Sequence, residues 1–260
     1  MLSEFGLGFG FWRLRRQCGL LALAFSLFSV RGSGQMIDRP GGTITAQLPG
    51  TQPVVTLHQL RAPCKARTEI ENAKKAYARK DVAGAYRHLS QALQDYPHYS
   101  VALTVRAILE LSDRQVESAA ADLQGAIDSD PEYGMPYVLL GSLRNDSRRY
   151  DEALLVLGRA DQLLPTAWQT HFETARALAG NQDYEGALRE VTRALRRIPG
   201  AESAENLALV HLWRASVLLQ LKDLPAAGSE YEATLRVAPS GEFATYSRDA
   251  LAQLRESTAR

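Results

Sequence analysis

Cysteine is nearly absent. Two occur in 260 residues, Cys18 and Cys64. Cys18 lies in an N-terminal stretch that reads as a leader, so an exported chain would keep Cys64 alone. A single cysteine excludes an internal disulfide and leaves either an incidental thiol or a link between two chains. A dominant charge is missing as well. The formal net charge is +1. From Gln35 onward, 26 basic residues face 28 acidic ones, a balance of −2. No basic field is available to draw in nucleic acid. Motifs of catalysis are missing too. The chain has no Gly-rich phosphate loop ending in Lys-Ser/Thr, no H-E-x-x-H and no G-x-S-x-G. Gly6, Gly8 and Gly10 mimic a dinucleotide fingerprint but follow no strand. The histidines (His58, His88, His98, His171 and His211) lack the neighbouring ligands a metal site needs. No catalytic residue, metal or cofactor is expected, and the chain is not expected to be an enzyme.

What the sequence does contain is a period. Pro97, Pro131, Pro165 and Pro199 stand 34 residues apart, and Pro239 follows after 40. Twelve residues before each proline sits Ala85, Ala119, Ala153, Ala187 or Ala227. Five residues before it sits Ala92, Ala126, Ala160 or Ala194, with Thr234 as the departure. A further small residue recurs at Ala73, Ala107, Gly141, Ala175 and Ala215. Such a period marks a repeat architecture. Each unit reads as two helices, and small residues sit where helix axes approach to about 8–10 Å. Leu89, Leu123, Leu157, Val191 and Tyr231 share one inward place. Asp81, Asp183 and Asp223 precede the second helix and suit an N-cap; Gln115 and Arg149 replace them in two units. Each proline pushes the preceding residue out of the helical region.

These residues resemble the tetratricopeptide repeat (TPR), a helix–turn–helix unit of 34 residues. Gly134 to Ala167 fits best, through Tyr137, Leu140, Gly141, Tyr150, Ala153, Leu157, Ala160 and Pro165. The resemblance covers about two thirds of the chain. It implies an all-α, right-handed superhelical solenoid of about five units, at 66–99, 100–133, 134–167, 168–201 and 202–241. A capping helix at 242–258 would follow, completing a domain over 63–260. The fifth unit carries extra residues, Gly200 to Leu207, which lengthen its first helix or entry loop.

The N-terminus differs. Arg13, Arg15 and Arg16 precede Gln17 to Val30, fourteen uncharged residues, and Gly and Ser follow. This reads as a signal peptide over 1–34. The run is short of the ~20 residues of a membrane span. The expectation is an exported bacterial protein, periplasmic or extracellular. The alternative is anchoring to the inner membrane by residues 17–30. Residues 35–62 read as a Gly/Pro/Thr-rich linker, with short extended pieces at Thr43–Leu48 and Val54–Leu60, one of which would dock on the first repeat.

The resemblance further implies a concave groove lined by the first helices. The lining would include Arg67, Ile70, Lys74 and Tyr77, then Thr104 and Ile108, then Met135, Val138, Ser142 and Asn145, then Phe172, Arg176 and Leu212. An apolar surface with a few positive ends suits a protein or peptide partner, as an extended segment or an amphipathic helix. Ile70, Val105, Met135 and Leu139 replace the charged and amide residues of a carboxylate clamp, and Lys74 replaces an Asn, so no such clamp is expected. The function expected is a scaffold or adaptor of the cell envelope. The alternatives are a self-associating assembly protein, a homodimer for instance, or an accessory subunit of an envelope enzyme complex.

Overall fold

The computed structural model describes residues 56–199 and 204–258. Among them lie twelve helices and no strand. A short helix, α1 (Leu57–Arg61), precedes five hairpins. These are α2 (Cys64–Ala78) with α3 (Val82–Asp95), α4 (Ser100–Ser112) with α5 (Val116–Ser129), and α6 (Met135–Asp146) with α7 (Tyr150–Leu163). The last two are α8 (Trp168–Gly180) with α9 (Tyr184–Arg197), and α10 (Ala204–Gln220) with α11 (Leu224–Val237). Helix α12 (Glu242–Thr258) closes the array. Each helix packs mainly on its hairpin partner and on the helix next along the chain. Stability in such an array is close to a sum of unit and neighbour terms.

The recurring residues explain the hairpin. Leu89, Leu123, Leu157, Val191 and Tyr231 are each at most 1% exposed. Burying a side chain of this size contributes about 1.5–3 kcal/mol. They need a small residue opposite. A Cβ on Gly141 would lie 2.6 Å from the Leu157 side chain. The residue before each proline leaves the helical region, as at Tyr96 (φ −148°, ψ 88°) and Asp130 (φ −147°, ψ 83°).

The turn inside each hairpin is built one way five times. Lys80, Arg114, Arg148, Gln182 and Lys222 all have φ between 59° and 65°. The amide after each reaches back five residues, as from Asp183 to the Leu178 carbonyl at 2.9 Å. This left-handed link satisfies carbonyls at the end of the first helix. Asp81, Asp183 and Asp223 then cap the second helix by accepting from the backbone N–H of Gly84, Gly186 and Ala226. Gln115 and Arg149 make no side-chain cap.

Polar side-chain pairs recur between the two helices of a hairpin. His171 lies 2.8 Å from Glu190 and His211 lies 2.7 Å from Glu230. In the first unit the same two places are exchanged: Glu69 meets His88 at 2.7 Å. These histidines are packing residues held by a carboxylate. The second unit puts Asp122 in the later place, and the Arg106 guanidinium donates to it through Nε and Nη2.

The ends also have reasons. Helix α10 starts at Ala204 and has 17 residues against 12 in α6, so Ala204 to Leu207 of the extra residues lengthen the first helix of the fifth unit, and Gly200 to Ser203 lie outside the described residues. On α12, Phe243 and Ala250 are buried, while Arg248, Asp249, Gln253 and Glu256 face water. At the other end, Leu57–Leu60 of the extended piece expected over Val54–Leu60 are helical, and Val54 and Val55 lie outside the described residues. Thr56 and Gln59 form a capping box that starts α1. The leader over 1–34 and the Thr43–Leu48 piece lie outside the described residues.

Candidate protein-binding surface

The first helices of the five hairpins are α2, α4, α6, α8 and α10. Helix α6 touches α8 directly as well as its own partner α7. Residues that bridge α6 and α8 therefore lie on the inner face, away from the second helices.

That bridge is polar. The Arg176 guanidinium donates to Asp146 at 2.6 Å, to Glu173 at 2.7 Å and to Ser142 at 3.3 Å. The Asn145 amide donates to the Glu173 carboxylate and to its backbone carbonyl, both at 2.9 Å. Glu173 is fully buried and Arg176 is 7% exposed. Burying ions this deeply is tolerated only when each has a charged or hydrogen-bonding partner. Asn145 Oδ1 and Arg176 Nε are buried without a hydrogen-bond partner among the described residues.

The thirteen expected lining residues separate into two groups. Arg67 is exposed, and Lys74, Tyr77 and Met135 are half-buried. Arg67 lies 3.1 Å from the Cys64 sulfur, and Lys74 pairs with Glu71 at 2.8 Å. The other nine are buried: Ile70, Thr104, Ile108, Val138, Ser142, Asn145, Phe172, Arg176 and Leu212. Ser142, Asn145 and Arg176 come together in the polar bridge. Phe172 packs tilted on Trp168 at 6.2 Å and edge-on to Trp213 at 6.1 Å. Thr104 donates to the Ser100 carbonyl of its own helix at 2.7 Å. The accessible part of the face is thus narrower than spacing alone suggests.

Glu173 and Asp146 belong to the face but do not stand out in the sequence. One signal was available: Glu173 and Arg176 are three apart on one helix, a spacing at which side chains meet. Among the described residues, no cluster of His, Cys, Asp and Glu is placed to hold a metal. No helix among them is long and apolar enough to cross a membrane.

No protein-family model matches the chain, and no curated protein matches it. Solved structures do. A thermophilic TPR protein of Thermus thermophilus aligns with a TM-score of 0.60 at 20% identity, over 72% of this chain and 99% of that one. The pilF protein of Pseudomonas aeruginosa aligns at 0.60 and 19%, over 73% and 88%. YrrB, described as a TPR protein with an unusual peptide-binding site, aligns at 0.52 and 16%, over 71% and 92%. Likeness at this identity establishes the fold: the described helices form a TPR solenoid.

Proposed function

We propose that this protein is a non-enzymatic interaction scaffold of the cell envelope, holding an extended or helical segment of a partner protein on its inner face. The observation that carries the reading is the direct contact of the first helices α6 and α8, tied across units by the Arg176 bridge. A fold of this kind supplies a surface and no chemistry of its own, so the ligand is set by the residues on the face. The peptide-binding site named for YrrB supports the same use of the fold. The basic start and the apolar run of residues 1–34 support export of the chain.

The test reverses charge where the face is accessible. Arg67→Glu with Lys74→Glu alters two cations of α2 that lie outside the core. Partner captured by the parent chain is expected to be lost from this variant, with the unfolding midpoint unchanged. Equal capture by both would place the interface elsewhere and sink the reading. Separately, a retained leader in the exported protein, shown by intact mass, would replace the signal peptide by an anchor.

A further inference from the structure

We propose that His171 is a proton-driven latch: its neutral ring holds the end of α9 through Arg197, and its protonated ring lets Arg197 go and turns to Asp161 of α7. The latch is independent of the inner-face reading above.

The state of the ring follows from its partners. His171 is 4% exposed. Arg197 Nη1 lies 2.6 Å from Nε2, and Glu190 lies 2.8 Å from Nδ1. A guanidinium can only donate. Nε2 therefore accepts from Arg197, and the ring hydrogen sits on Nδ1, where it is donated to Glu190. A second proton, taken from water, has one place to go, which is Nε2. Its N–H would then point at a donor, and two cations would meet at 2.6 Å. Arg197 can leave without unpacking the helix, because it is the exposed last residue of α9. Asp161 can take its place. Its Oδ1 lies 3.8 Å from Nε2, and its side chain is 55% exposed, with room to close that gap. A buried cation is tolerated only when it is paired, and Glu190 and Asp161 would then flank the ring at both nitrogens.

Asp161 is the group placed to answer the proton. Elsewhere on α7, Arg159 meets Glu132 at 3.0 Å, and Asp151 and Glu152 stand in the first turn, far from Asp161 in the last. On α9, Glu190 is also held by Arg193 at 2.7 Å and lies in the field of Arg189. On α6, Tyr137 has the place equivalent to His171 and donates to the Pro131 carbonyl at 3.3 Å. The charged residues of α6 are in its last turn, where Arg144 pairs with Glu152 and Asp146 with Arg176. Glu173 and Arg176 of α8 belong to the bridge with α6. On α10, Glu205 is exposed, and His211 and Arg214 both meet Glu230 at 2.7 Å.

Unit four is singled out among the repeats. His211 shares the carboxylate partner, but Val237 and Leu195 stand at the places equivalent to Arg197 and Asp161. His88 meets Glu69 and has a side chain 37% exposed. The latch also sits at the irregular step of the period, just before residues 200–207 enter the fifth unit.

Imidazole nitrogen-15 spectra of the full-length chain test this, with His171→Gln to assign the signal. At pH 8 the His171 ring is expected to carry its hydrogen on Nδ1. A ring with its hydrogen on Nε2 at that pH, or one still neutral at pH 5, would overturn the proposal. Hydrogen exchange then reads the latch itself. The Ile198 amide donates to the Ala194 carbonyl at 3.0 Å and closes α9. Its protection, corrected for the intrinsic rate at each pH, should fall severalfold between pH 8 and pH 5, in step with protonation of His171. Glu190 keeps its charge over this range, because the His171 hydrogen bond holds it below the usual carboxylate range. Arg197→Met removes the held group and should leave Ile198 equally protected at both pH values. Glu110 of unit two titrates in the same range. Any effect of Glu110 on Ile198 would survive in Arg197→Met. The same pH dependence in that variant, or protection that does not follow His171, would sink the latch.

Discussion

Units two and four place an ionic centre at the same level between their two helices, yet the centres respond to pH in opposite directions. In unit two, Arg106 faces two carboxylates. It holds Asp122 through Nη2 at 2.6 Å and lies 3.9 Å from Glu110. Glu110 Oε2 is buried without a partner among the described residues. Burial, with the nearby Asp122 charge, pushes the Glu110 carboxyl up to about 7, against the pull of Arg106. In unit four, one carboxylate faces two donors. Glu190 receives His171 at 2.8 Å and Arg193 at 2.7 Å. The His171 hydrogen bond, helped by the Arg193 charge, holds Glu190 below the usual carboxylate range despite its burial. Burial raises both carboxyls; the hydrogen bond from His171, which Glu190 has and Glu110 lacks, reverses the direction.

The stability consequences follow from proton linkage. Glu110 binds its proton more tightly when folded, so stability falls as pH rises from 4.5 to about 7. Glu190 binds its proton less tightly when folded. It adds stability above the usual carboxylate value, and that stability is lost as pH falls through its folded value.

The sharpest way to break the comparison is Arg106→Met. It leaves Asp122 and Glu110 facing each other without a cation. Removing one partner of a buried pair costs about 3–5 kcal/mol, and partial exposure of Arg106 brings the expected loss to about 2–3. Urea unfolding at pH 8 should show that loss, with a smaller one at pH 5.5, where Glu110 is protonated. An equal loss at both would mean that the carboxylates do not repel. Glu110→Gln should do the reverse. It is expected to stabilise the chain by about 1–3 kcal/mol at pH 8 and to leave it unchanged at pH 4.5. Destabilisation at pH 8 would refute a raised carboxyl. Glu190→Gln is the counterpart in unit four, with an expected cost of about 1 kcal/mol at pH 7 that shrinks as pH drops below 4. A gain at pH 7 would erase the difference between the two units.

How much of this was legible depends on distance along the chain. The hairpins follow from a period in which alanines and prolines carry the signal. The Asp81, Asp183 and Asp223 caps follow from adjacent residues. The His171–Glu190 and His211–Glu230 pairs share a spacing of nineteen residues, and the Glu69–His88 pair repeats that spacing in reverse. That regularity is visible once the unit is aligned. The Asn145–Glu173 contact spans 28 residues between units, and the Thr56–Asp130 contact spans 74. Both depend on how units stack, which the period alone does not set. Thr56 and Gln59 were readable as a capping box, but the β-branched run Val54–Val55–Thr56 concealed it.

The smallest expected effect lies at the turns, where the same comparison can be made between units two and four. Gln115 has φ −87° and ψ 69°, and Asp183 has φ −80° and ψ 75°. The backbone of unit two is therefore already set for a cap, and only the acceptor is missing. In unit four the acceptor is present, with the Gly186 amide donating to Asp183 at 2.8 Å. Gln115→Asp should bring a carboxylate to the Ser118 amide and gain about 0.5–1 kcal/mol, while Asp183→Ala should lose about 1. Thermal unfolding of the two variants reads both signs. A loss in each would mean that Gln115 serves the turn in a way that Asp cannot. A gain in unit two and a loss in unit four would show that one backbone turn, repeated five times, is stabilised in only some units.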